Sequence, residues 1–353
     1  METAVTTSAP AKAILFGEHA VNRGQSAIAV SVGLRIRCTV QRGGYVYHLQ
    51  NAGHARAFTK DEVTELGTQV DAWREQQAFA HIRALAAADY FAPAKYIIST
   101  AMRDYPALQN GLDVAWHSDI PHSGGLGSGG AASVALATAL VELTLTPTPS
   151  HPSTNAQEER EQVVSQWAYL GDVIAHGGVA SALDTQTSLL GGVIRYTKEH
   201  WGERIACAPG LHLVVGDTGV RGQTSDVNSR VREWLAADAT RMRYFEMIGV
   251  LSEAAQKQLA IGNWQELGRL MNMNQLVLEK IGVSCPELER LIDAAIGAGA
   301  SGAKLSGSGG GGIMIALTTQ DKREVVADAL RNAGGRVFVP DVTGDGAKIE
   351  TIW

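Results

Sequence analysis

The sequence predicts an α+β chain in two halves. Two glycine-rich runs, "PHSGGLGSGGAAS" (121–133) and "SGSGGGGI" (306–313), lie far apart, each among its own strand-like and helix-like segments. The pattern restarts near 200–210, where "LHLVVGDTG" opens a new strand. At 353 residues the chain is long enough for two domains.

The elements follow in order. "AKAILFGE" (11–18) reads as a short strand running into a loop. "SAIAVSVGLRIRCTV" (26–40) is rich in β-branched residues and alternates in its second half, the mark of a strand. A polar, irregular stretch is expected to about 76. Then come a helix at "QQAFAHIRALAAADY" (76–90), a strand at "AKYIIST" (94–100), and a strand with one solvated face at "GLDVAWHSDIP" (111–121). After the first glycine run, "AASVALATALVELTL" has no helix breaker and reads as a buried helix. "TPTPSHPST" (146–154) is a loop, and "NAQEEREQVVSQWAYLGDVIAH" a long amphipathic helix. Strand character returns at 184–197. Past the new strand, three or four helices are expected across 226–298. A strand, the second glycine run, the strand "GIMIAL", a helix (321–333) and two short strands complete the chain.

Composition narrows the function. Hydrophobic residues are 45%, charged residues 19% and the net charge −6, so bulk electrostatics give no case for nucleic acid or an anionic membrane. No apolar run approaches the ~20 residues of a membrane span, and the N-terminus lacks a basic stretch followed by an apolar one. Cys38, Cys207 and Cys285 are far apart and form no C-x-x-C, which favours a reducing cytoplasm.

Gly125, Gly127 and Gly130 match the dinucleotide fingerprint G-x-G-x-x-G, as do Gly307, Gly309 and Gly312. Neither has the required surroundings. Pro-His-Ser separates the first match from its strand, and the helix after it leads into a Pro-rich loop instead of an acid-terminated strand. The second precedes a strand, so no helix follows to face a pyrophosphate. G-x-x-x-x-G-K-[ST] and the protein-kinase motifs are absent from the sequence. What remains is an anion cradle: glycines that let successive N–H groups converge, followed by a helix N-terminus. A tight turn would explain one such loop. A loop that opens a helix, with a second loop elsewhere, favours phosphate.

Three segments together resemble the GHMP small-molecule kinases: "SAPAKAILFGEHAV" (8–21), "IPHSGGLGSGGAAS" (120–133) and "GAKLSGSGGGGIMIAL" (302–317). "GEHAV", "GDTGVRGQTSDVNSRVR" and "MNMNQLVLEKIGVSCPELERLIDAA" are similar to the mevalonate kinases within that family. The resemblance spans roughly 8 to 317. It implies a ribosomal-S5-domain-2-like α/β domain (1–205) and a ferredoxin-like domain (206–353), the last strand returning to the first domain. It also implies ATP and Mg²⁺, a soluble cytoplasmic enzyme, and a homodimer. The reaction implied is ATP-dependent phosphorylation of the primary hydroxyl of mevalonate to 5-phosphomevalonate, for isoprenoid precursors. Other small alcohols, a phosphorylated mevalonate, or a non-catalytic ATP-binding role on the same scaffold are the alternatives.

The resemblance assigns residues one at a time. ATP falls on Gly124, Gly125, Leu126, Gly127, Ser128, Gly129 and Gly130. Asp184 is the general base or hydroxyl-orienting group, and Lys12 the cation beside it. Glu18, His19 and Thr224 match mevalonate-contacting positions, with His19 or Lys12 holding the carboxylate through a charge-assisted bond. Asp172, where the compared kinases have Glu, and Ser128 are the metal ligands. The family's G-L-G-S-S has become G-L-G-S-G, leaving Gly129 where a second serine is usual, and one extra residue separates His176 from Asp184. Lys304, before the third motif's glycines, reads as a surface residue.

Overall fold

The computed structural model describes residues 4–121, 125–144, 156–222 and 224–353, so Gly124 and the expected loop at 146–154 lie outside the described residues. The first half runs β1 (Ala4–Phe16), β2 (Ala27–Arg42), β3 (Val46–Asn51), β4 (His54–Thr59), α1 (Lys60–Glu75), α2 (Phe79–Ala88), α3 (Ala92–Asp104), β5 (Leu112–Ser118), α4 (Ser128–Thr144), α5 (Ala156–Ala175), α6 (Leu183–Leu190), β6 (Val193–Tyr196) and β7 (Glu203–Arg204). The second runs β8 (His212–Asp217), α7 (Thr224–Ala236), α8 (Met242–Ile261), α9 (Trp264–Ile281), α10 (Pro286–Gly297), β9 (Gly302–Ser306), β10 (Ile313–Thr318), α11 (Arg323–Asn332), β11 (Arg336–Phe338) and β12 (Lys348–Ile352).

Two sheets organise these elements. The first follows the path β12-β1-β2-β5-β3-β4, with β6 also on β2 and β7 on β6. Its pairings are antiparallel except β3 with β5. The second sheet is antiparallel in the order β11-β8-β10-β9. Counting its strands along the chain gives 4-1-3-2, the ferredoxin-like order. β12 leaves this second half and pairs with β1, where Val5 faces Ile352.

Position in the sheet explains the residue patterns. β1 is buried along nearly its whole length, because β2 and β12 flank it and α4 and α6 cover it. Its polar residues Thr7, Ser8 and Lys12 are buried along with its apolar ones, so the sequence shows no alternation to extend the expected strand back from Ala11 to Ala4. β5 alternates buried and accessible positions as expected. α4 is apolar almost all round and packs between β1, β2 and α5.

Three expectations are corrected. The stretch before 76 is not irregular: β3 and β4 form a hairpin, and α1 starts at a capping box in which Thr59 and Glu62 satisfy each other's backbone N–H groups. The segment 94–100 is part of helix α3, with Pro93 in its first turn and its buried side packed on α1 and α5. A short apolar run with two isoleucines fits a buried helix as well as a strand, and tertiary burial chose the helix. The segment 184–197 divides into helix α6 and strand β6. The threonines that give it strand character are accommodated in the helix: Thr185 Oγ1 donates to the Ala182 carbonyl and Thr187 Oγ1 to that of Leu183.

Candidate functional site

A cleft of about 290 Å³ opens where the loop after β1, the glycine loop before α4, the ends of α5 and α6, and the β9–β10 glycine loop converge. Lys12, Glu18, His19, Gly125, Gly127, Ser128, Gly129, Gly130, Asp172, Asp184 and Thr224 all line it. The structure thus brings together nearly all of the sequence-derived candidates. Leu126 lies behind them in the core.

Lys12 and Asp184 form the floor. Lys12 Nζ stands 2.9 Å from Asp184 Oδ1, in a pair almost closed to solvent on the lysine side. The Lys12 backbone N–H donates to the Leu126 carbonyl at 2.9 Å, which ties the glycine loop to β1. Asp184 lies in the first turn of α6, where the helix dipole favours a carboxylate.

Two of the loop's glycines serve this pair directly. Gly127 has φ +71°, and a Cβ there would lie 2.8 Å from Lys12 Cγ and Cε. At Gly130 a Cβ would lie 3.0 Å from Asp184 Cβ. The glycines therefore let the loop sit directly on Lys12 and Asp184, besides presenting N–H groups. α4 starts at Ser128, and the first N–H groups of a helix have no intrahelical acceptor, so they face outward as anion donors. Gly125 (φ +68°) packs against Ile313 and the Ser306 carbonyl, so the flanks of the second glycine run brace the first.

Asp172 is buried on the last turns of α5, and its Oδ1 accepts no hydrogen bond. This buried carboxylate oxygen, approached by the His176 ring and opening on the same cleft as Ser128, suits a hard cation that takes its other ligands from phosphate and water. Among the described residues no three His, Cys, Asp or Glu side chains cluster as a complete metal cage. His176, one turn beyond Asp172, places Nδ1 3.3 Å from Oδ1 and 2.9 Å from the Asp172 carbonyl. The Asp172 carboxylate, outweighing burial and helped by Asp184, pushes His176 up to about 10. Sequence reasoning used His176 only as a spacing marker. Its i+4 relation to Asp172 on a helix was the available signal.

Gly129 contrasts with its neighbours. Its φ is not left-handed, and the nearest atoms to a Cβ there would be Ala175 Cβ at 3.9 Å and Asp172 Oδ1 at 4.0 Å. Space does not require a glycine at this position. Gly129→Ala is expected to hold or raise stability, by about 0.5 kcal/mol through the unfolded chain's lost freedom. A chemical denaturation midpoint checks this.

His19 and Thr224 meet at Ser308 of the second glycine run. The His19 ring Nε2 is 2.8 Å from the Ser308 carbonyl and so carries the proton it donates, while Thr224 Oγ1 is 3.1 Å from Ser308 Oγ. Burial, against that hydrogen bond, holds His19 down at about 4. At neutral pH its imidazole is uncharged, and its Nε2–H is engaged with the Ser308 carbonyl. The depressed value has a linkage consequence. Below the unfolded value of 6.5 the unfolded chain takes a proton that the folded chain refuses, so this contribution to stability is lost as pH falls from 6.5 towards 4. Between neutral pH and pH about 4.5 the wild type should lose about 2–3 kcal/mol more than His19→Asn, read from denaturant melts at the two pH values.

Glu18 also lines the cleft, but its carboxylate turns away from solvent, to Lys304 and Asn274. Lys304 is not a surface residue. Its side chain is fully buried, and an ion pair with Glu18 makes that burial possible.

A second, mainly apolar pocket of about 280 Å³ shares Ser128 and Gly129 with the cleft. Tyr90, Phe91, Ile97, Trp116 and Leu136 form its walls, with Asn51 and Ser118 as polar groups. Its apolar walls come largely from segments that carry no motif, and sequence reasoning did not find it.

The family description "GHMP kinases N terminal domain" matches residues 90–192, and "GHMP kinases C terminal" matches 253–336. The chain belongs to the GHMP kinase family, and the two-domain fold expected from its motifs is borne out. The mevalonate kinase of Thermococcus sibiricus is 32% identical over 363 residues and that of Pyrococcus furiosus 30% identical over 361, each alignment covering 99% of both chains. The crystal structure of L. major mevalonate kinase in complex with R-mevalonate superposes with a TM-score of 0.71 at 26% identity, covering 97% of this chain and 96% of that one.

Proposed function

We propose that the protein transfers the γ-phosphoryl group of ATP to the primary hydroxyl of mevalonate, giving 5-phosphomevalonate and ADP. The observation that carries a phosphoryl-transfer reading is the Lys12–Asp184 pair at 2.9 Å beneath a glycine loop and helix start. The acceptor is supported by mevalonate kinases that align with this chain from end to end.

In this reading the phosphates lie on the N–H groups of the loop and the first turn of α4, and the base enters the apolar pocket that begins at Ser128 and Gly129. Asp184 orients the acceptor hydroxyl and takes its proton as the new O–P bond forms and the bond from the γ-phosphorus to ADP breaks. Lys12 keeps that carboxylate ionised and offsets charge on the attacking oxygen. Asp172 and Ser128 would hold Mg²⁺, which neutralises phosphate charge when bound. Glu18, His19 and Thr224 form the acceptor wall. The cytoplasmic setting and the homodimer implied by the resemblance belong to the same proposal, and sedimentation measures the second.

The test is ADP release with Mg-ATP against mevalonate, phosphomevalonate, galactose and homoserine. Mevalonate should exceed the others in kcat/KM by at least about 100-fold. Preference for another acceptor overturns the mevalonate reading. ATP binding with no turnover on any of them overturns the kinase reading.

A further inference from the structure

Lys304 and Glu18 form the most deeply buried ion pair among the described residues, with both side chains closed to solvent. The pair joins the two halves: Glu18 follows β1, and Lys304 sits in the middle of β9. Lys304 Nζ also donates to the Leu305 carbonyl at 2.6 Å. Desolvating two charges is costly, and apolar residues of similar size commonly stabilise as well, so stability alone is a weak reason for the pair.

The surroundings hold Lys304 in place. β9 is an edge strand, and its outer N–H groups are taken by amide side chains of α9: Ala303 N–H donates to Asn272 Oδ1 at 2.9 Å, and Leu305 N–H to Gln275 Oε1 at 3.0 Å. These belong to the "MNMNQ" segment, for which phosphoryl transfer assigns no role. Its Asn274 is fully buried, with Nδ2 3.5 Å from Glu18 Oε2 and Oδ1 without a partner. Lys12 lines the same cleft as Glu18, and its charge acts on both Glu18 and Lys304. The charges therefore alternate across the domain junction: Asp184, Lys12, Glu18, Lys304.

We propose that Lys304 is a positioning residue for phosphoryl transfer: by holding Glu18 towards β9 and α9, it keeps Lys12 committed to Asp184. The proposal rests on the roles given above to Lys12 and Asp184. Without the Lys304 cation, Glu18 is left beside Lys12 as a second carboxylate and competes with Asp184 for it.

The experiment compares wild type, Lys304→Met, Glu18→Gln and the double variant in steady-state ADP release with mevalonate. ATP affinity and thermal midpoint confirm that each is folded at the assay temperature. Lys304→Met is expected to lower kcat by about 10–100-fold with the KM for ATP unchanged. Adding Glu18→Gln removes the competing carboxylate and should recover at least about tenfold of that kcat, whatever it does to the KM for mevalonate. A packing role predicts no such recovery in folded protein. Full activity in Lys304→Met, or a folded double variant no faster than the single one, overturns the proposal. If Lys304→Met alone does not fold, the double variant is compared with Glu18→Gln, in which Lys304 faces Lys12 unneutralised. The double should then have the higher kcat, and a lower one overturns the proposal. A wild type silent on mevalonate is instead failure of the proposed function, and distinguishable as such.

Discussion

Asp184→Asn is expected to lower kcat with mevalonate by about 10³-fold while leaving ATP affinity within about threefold. The amide keeps the size and most hydrogen-bonding geometry of the carboxylate but cannot accept the hydroxyl proton. It also leaves the Lys12 ammonium, whose side chain is only 4% exposed, without its counter-charge. That second effect should cost about 3 kcal/mol of stability, the low end of the range for removing one partner of a buried pair, since the Asp184 side is partly exposed. The two effects separate experimentally: turnover is measured per folded, ATP-binding site, and stability by denaturant melt. Phosphates held by backbone N–H groups at the start of α4 do not depend on Asp184, which is why affinity should survive. A variant retaining kcat within tenfold of wild type would remove Asp184 from the chemistry, and with it the reason for placing Lys12 beside it.

The parts of this site legible in the sequence were those whose chemistry is local. A glycine loop followed by an uninterrupted helix is a contiguous pattern, and α4 starts at Ser128 inside that pattern. Lys12, Glu18 and His19 could be singled out because one short segment carries them, and the structure brings them into the same cleft as Asp184. What was illegible depends on partners distant in the chain. Lys304 looks like any strand lysine until Glu18, 286 residues away, is seen to neutralise it. The apolar pocket draws Asn51, Tyr90 and Trp116 from separate elements, none of which is unusual alone. The errors in secondary structure have a related cause. α3 and α6 are helices whose β-branched residues are largely buried by neighbouring helices and strands, and that burial overrides their local preference. The capping box at Thr59–Glu62 was readable three residues apart, and it marks where the supposed irregular stretch turns into α1.

The glycine loop itself offers the sharpest test of why it contains glycine, because Gly127 and Gly129 stand two residues apart in opposite circumstances. Gly127→Ala is expected to lower kcat by about 100-fold and stability by about 2 kcal/mol. Its φ of +71° carries a strain cost for any residue with a Cβ. The added methyl would also sit 2.8 Å from Lys12 Cγ and Cε. A lysine with a free end would swing aside at little cost. Lys12 is held at its far end by Asp184 and at its backbone by Leu126, so it can clear the methyl only by giving up one of these. Gly129→Ala meets neither obstacle and should stay within about threefold of wild-type kcat. If the loop's glycines served only to bring N–H groups close to phosphate, both changes would weaken ATP binding and leave kcat at saturating ATP similar. If Gly127 exists to seat Lys12 against Asp184, as the geometry indicates, kcat falls in Gly127→Ala alone. Equal kcat in the two variants at saturating ATP would discard that explanation.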